Sequence, residues 1–191
     1  MKKTTDSSRK HHQGIDNFFD VISLPQANKY LGSSIKFAEK RKVWDKKAPT
    51  DLIYFFETLG CLLDSVFHFS SIQMKNGCIL GKTSGQSPDV SHTCHYCGPS
   101  SKQFAWHYFP KYLNVDEYYN PYLAIKKFTS EYKLKKWRTI IRCIQDCSLS
   151  TNSHTELGIE MKIIKISRLL FKLVEACHLI YVRRHLNKTF K

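Results

Sequence analysis

Four side chains able to do chemistry, Glu57, Cys61, Asp64 and His68, recur at spacings of four, three and four within the apolar stretch TDLIYFFETLGCLLDSVFHF, residues 50–69. On an α-helix those spacings fall on one stripe. Carboxylates and an imidazole on a stripe of this kind could bind a metal or move protons, provided a second helix supplies partners. Glu175 and His178 are the natural candidates, with the Glu-x-x-His spacing of di-iron helical bundles. That architecture needs two such elements and two more carboxylates, and only this one is found. Ion pairs of Glu57 or Asp64 with Arg168 or Lys172 account for the same residues without any catalysis.

A second constellation is His92, Cys94, His95 and Cys97, with His107 further on. Tetrahedral zinc takes four nitrogen or sulfur ligands, and a Cys-x-x-Cys turn supplies two of them. His92 and His107 could complete a local site with Cys94 and Cys97, and Cys143 with Cys147 could offer a remote pair. None of these spacings matches a finger or ribbon, so solvated loop cysteines are the competing reading. No cofactor is expected, zinc being the one considered. Gly77, Gly81, Lys82 and Thr83 imitate a phosphate-binding loop, but three residues separate the glycines where that loop needs four, and no strand precedes them.

A third group is cationic. Lys133, Lys135, Lys136, Arg138 and Arg142 crowd a segment whose apolar positions Leu134, Trp137, Ile141 and Ile144 recur at spacings of three, four and three. Such a helix offers one face to a core and the other to phosphates. With a preceding helix over 115–128 it would approximate a helix-turn-helix, although Pro121 interrupts that first helix. Arg183 and Arg184 add charge near the end of the last helix. The aromatic residues of 104–132 could stack on bases, but core packing explains most of them.

The elements that must position these groups are helices. Strand alternation is weak throughout, and no repeat or heptad is visible. A helix is expected from Ile15, on the spacing of Ile15, Phe18, Phe19 and Ile22. A second starts at Ser23 and Pro25, with a break at Gly32, Ser33 and Ser34, followed by a basic helix in IKFAEKRKVWDKK. The central helix should begin with Thr50 as N-cap and run to about residue 72. Residues 73–103, rich in glycine and serine, read as a long loop or a small inserted module. Asn114 and Glu117 have capping-box spacing, and the last helix spans 160–185.

The expected fold is therefore an all-α, irregular bundle of about five to seven helices around a long apolar central helix (50–72). A disordered basic arm, 1–14, would precede a single domain, 15–191. The 42% hydrophobic and 24% charged content suits a globular chain. Thirty Lys and Arg against 16 Asp and Glu give a net charge of +14. That charge sits at both ends of the chain and favours a polyanionic partner, though AT-rich coding would also enrich lysine. Seven cysteines and an N-terminal MKKTTDSSRKHHQG without an apolar run after it lead us to expect a cytoplasmic protein with reduced thiols. Charges interrupt both long apolar runs, so no membrane span is expected. Three readings result. The first is non-catalytic nucleic-acid binding, DNA before RNA, through Lys133, Lys135, Lys136, Arg138, Arg142, Arg183 and Arg184, in an accessory or regulatory role. The second is a module for an acidic protein partner, and the third is a metal-dependent enzyme on the Glu57/Asp64/His68 and Glu175/His178 helices.

Overall fold

A helix with one apolar stripe is stable only when that stripe meets another, and the chain satisfies this with an irregular helical bundle. The structure, a computed structural model, describes residues 4–39, 43–45, 47–76, 109–151 and 162–189. Among these residues there are seven helices and no strand: α1 (Thr4–Val21), α2 (Leu24–Glu39), α3 (Pro49–Asn76), α4 (Val115–Tyr119), α5 (Tyr122–Glu131), α6 (Leu134–Leu149) and α7 (Ile163–Thr189). The two long helices, α3 and α7, do not pack along one another. Instead α1, α2 and α5 each lie against both, while α6 closes on α2 and α3.

The central helix buries Leu52, Phe55, Phe56, Leu59, Leu62, Leu63, Val66 and Phe69. Each such side chain, fully withdrawn from water, contributes roughly 1.5–3 kcal/mol. Pro49, at the first helical position, has no N–H to leave unpaired, so α3 starts just before the expected cap and continues to Asn76, past residue 72. Its span Pro49–Ser70, with a mean hydropathy of 1.3, is long and apolar enough to cross a membrane by length and composition alone, and in this fold it packs against α1, α2, α5 and α6. Leu134, Trp137, Ile141 and Ile144 turn inward as their spacing requires, with Trp137 fully buried and its Nε1 donating to the Phe128 carbonyl at 3.2 Å.

Four sequence expectations need correction. Helix α1 begins at Thr4, so most of the stretch read as a disordered arm is continuous with the helix expected from Ile15. Its polar composition hid two tertiary attachments. His12 is buried against Phe69, ring centroids 4.7 Å apart, and Gly14 crosses α3 so closely that a Cβ there would sit 1.8 Å from Ser65 Oγ.

Gly32, Ser33 and Ser34 do not break α2 but form a strip of small residues on it. A Cβ on Gly32 would meet Phe171 at 3.6 Å, and Ser148 Oγ donates to the Ser34 carbonyl at 2.9 Å. The basic stretch after them does not form the separate helix expected: its residues up to Glu39 belong to α2, and Val43–Asp45 is non-helical because Trp44 is pinned there. The Trp44 N–H donates to the Ser148 carbonyl at 2.8 Å, its Nε1 donates to the Lys47 carbonyl at 3.0 Å, and its buried ring contacts Tyr30 and Phe37. Finally, the helix expected over 115–128 is two, α4 and α5, divided at Asn120 and Pro121.

Local signals elsewhere are realised. Ser23 precedes α2, with its N–H donating to Gln26 Oε1 at 3.0 Å. Asn114 and Glu117 form the full capping box at the start of α4, Glu117 N donating to Asn114 Oδ1 at 2.8 Å and Asn114 N to Glu117 Oε2 at 3.1 Å.

Candidate anion-binding surfaces

Helix α6 presents its cations as its periodicity dictates. Lys133, Lys135, Lys136, Arg138 and Arg142 are all exposed, with Trp137, Ile140, Cys143 and Ile144 buried behind them. Helix α5 precedes α6 through Tyr132 and Lys133 alone, and that corner is fixed by Phe128 stacked on Trp137 with ring centroids 4.0 Å apart.

The structure gives three of the predicted cations intramolecular work. Arg138 donates through Nε and Nη2 to Asp64 Oδ1, at 3.1 and 2.7 Å, joining α6 to α3. Arg183 donates to the Tyr118 and Tyr119 carbonyls, at 2.6 and 3.1 Å, satisfying acceptors at the end of α4. Arg184 Nη1 donates to both carboxylate oxygens of Asp16, at 2.8 and 3.0 Å. Lys133, Lys135, Lys136 and Arg142 share the exposed side without any such ion pair among the described residues.

The stripe on α3 does not meet Glu175 and His178, because α1, α2 and α5 intervene. Glu57 and His68 are exposed, and Asp64 is bound by Arg138 rather than by Arg168 or Lys172. Glu175 is fully buried and accepts three backbone N–H bonds, from Lys111 (2.7 Å), Tyr112 (2.8 Å) and Leu113 (3.2 Å). It ties the approach to α4 onto α7. Burial pushes its carboxyl above the ordinary carboxylate range, and the three amides recover part of that shift. His178 is buried against Phe19, and burial lowers its imidazole to about 4. Among the described residues no three His, Cys, Asp or Glu side chains converge as metal ligands. Cys143 and Cys147 are buried with sulfurs 3.8 Å apart, facing the core rather than a loop. Cys94, Cys97, His92 and His107, and the glycines of 77–81, lie outside the described residues.

A cationic cluster escaped the sequence reading. Between α5 and α7 lies a cavity of about 660 Å³, walled by Ala124, Ile163, Ile164 and Leu169 and bordered by Lys127, Lys162, Lys165, Arg168, Lys172 and Glu117. Glu117 is fully buried and accepts from Lys127 at 2.9 Å and Lys172 at 2.5 Å. Burial pushes its carboxyl up, but the bonds from Lys172, the Asn114 N–H and Lys127 outweigh that and hold it at about 2. Lys165 pairs with Glu131. The available signal was the run Lys162, Lys165, Arg168 and Lys172, whose spacings of three, three and four keep to one side of a helix. In the sequence Lys165, Arg168 and Lys172 show only as charges that interrupt a long apolar run.

The aromatic residues of 109–132 divide between core and surface. Phe128 is buried, Tyr112 stacks on Phe171 at 4.4 Å while staying 41% exposed, and Tyr119 is 42% exposed. No protein-family description, no curated protein and no solved structure matches the chain.

Proposed function

We propose that the protein binds nucleic acid, DNA in the first instance, without catalysis, through the exposed side of α6. The observation that carries this reading is the group of four exposed cations, Lys133, Lys135, Lys136 and Arg142, on a helix whose other side is fixed in the core. An array carried on a helix whose backbone is already fixed by packing can neutralise several phosphates without reordering that backbone. Arg138 belongs to the same exposed side, and its bond to Asp64 makes it a strut that orients α6 against α3. Arg183 and Arg184 serve the bundle itself, so the contact surface is narrower than the charge map suggested.

Titration of a fluorescent DNA duplex with the full chain tests this at two salt concentrations. Four phosphate contacts predict a log–log slope of about −3.6, so raising salt from about 50 to about 200 mM should weaken binding on the order of a hundredfold. Replacing Lys133, Lys135, Lys136 and Arg142 together with Ala should remove the slope along with the affinity. Equal binding by that variant, or no binding of DNA or RNA at low salt, would refute the reading. An acidic protein as the partner of the same surface would appear as the second of these outcomes.

A further inference from the structure

The cavity between α5 and α7 is unused by the α6 surface, and its composition differs in kind. Five cationic side chains face one carboxylate across apolar walls. Low-dielectric walls lined by one sign of charge concentrate the field inside a cleft. Glu117 is already shared by Lys127 and Lys172, and Glu131 holds Lys165. Lys162 and Arg168 are exposed, and no ion pair joins either to an acid among the described residues. Their charges are the ones an incoming anion would meet.

We propose that this cleft binds an amphiphilic organic anion, a phosphate head carrying an apolar body. Arg168 offers the planar fork that engages a phosphate through two parallel bonds, and Lys162 adds a mobile point charge. Ile163, Ile164 and Leu169 take the apolar body. Ile164 is 72% exposed, so a ligand lying over it removes apolar surface that the free protein leaves in water. A volume of 660 Å³ falls within the range of sites for single small molecules, roughly 300–1,000 Å³. It suits one molecule of that size rather than the successive phosphates of a polymer. The proposal is independent of the reading of α6.

Calorimetric titration of the full chain with dodecyl phosphate, kept below its micellar concentration, tests it. One molecule should bind per chain, and the Lys162→Ala, Arg168→Ala double variant should bind at least about tenfold more weakly. Ile164→Ser should weaken dodecyl phosphate but leave inorganic phosphate unchanged. All three side chains are exposed, so these variants keep the fold, which circular dichroism verifies. Arg168→Gln alone provides a milder check in the same direction. The variant lacking the four α6 cations should bind dodecyl phosphate as the parent does. Any of four results overturns the proposal: no binding, equal affinity for inorganic and dodecyl phosphate, undiminished binding by the double variant, or capture by phosphatidic-acid vesicles without binding of the monomer.

Discussion

Helices α6 and α7 both carry a basic stripe beside an apolar one, yet the two stripes have different fates. Along α6 the cations are exposed, and among the described residues only Arg138 reaches an acid, Asp64. Along α7, Lys172 and Lys165 turn back to Glu117 and Glu131 on neighbouring helices, and Arg184 to Asp16. The difference lies in what packs alongside. Helix α7 runs beside α1, α4 and α5, which supply acids to it, whereas among the described residues no helix packs on the outer side of α6. Charges of the first kind hold the protein together, and charges of the second kind are available to something else. Removing them should therefore cost stability in one helix and binding in the other.

The largest expected effect is at Glu117. Its loss leaves Lys172, only 20% exposed, without its partner and frees the N-cap amide of Asn114. Glu117→Ala should lower unfolding free energy by about 3 kcal/mol in urea melts. A loss under about 1 kcal/mol would erase the contrast between the helices.

Acid should reveal the same hub. The folded-state value of Glu117, about 2, lies below the ordinary 4.5. Its contribution is therefore complete above pH 4.5 and is lost as pH falls through about 2, on the order of 2 kcal/mol after screening at exposed Lys127. His178 acts earlier. Its folded value of about 4 lies below the ordinary 6.5, so protonation of the unfolded chain erodes stability as pH falls from 6.5 through 4. Urea midpoints against pH should fall in two stages, with Glu117→Gln removing the lower stage and His178→Gln the upper.

A smaller effect belongs to Arg138→Ala. Its pair with Asp64 leaves the two side chains 57% and 45% exposed, and such pairs contribute under about 1 kcal/mol. The smallest is for Lys133, Lys135, Lys136 and Arg142. Their joint replacement by Ala should move stability within about 0.5 kcal/mol by thermal melting, because Ala also favours the helix. A larger loss would mean that α6 too is held by its cations.

Periodicity made α6, α7 and the centre of α3 readable in advance, because a stripe of Trp137, Ile141 and Ile144 has one way to be buried. The capping box at Asn114 was readable for the same reason, since its two bonds span three residues. What sequence did not show depends on distant partners. Gly32 to Ser34 look like a break until Phe171 and Ser148 fill the space beside them. Glu117 and Lys172 stand 55 positions apart, and nothing local brings them together. Glu175 and His178 do not join the α3 stripe for a related reason: helix neighbours are chosen by packing rather than by complementary chemistry.

Gly14 and Gly60 show how unevenly this bundle would tolerate drift. At Gly14, α1 and α3 come so close that even a methyl group would overlap Ser65, whereas a Cβ on Gly60 meets nothing within 4 Å. A library varying both codons under selection for folding should come back monotonous at the first and diverse at the second, with alanine at position 60 outcompeting the parent. One glycine is thus a fixed hinge pin of the amino-terminal helix, and the other is vacant ground on which the chain can still gain stability.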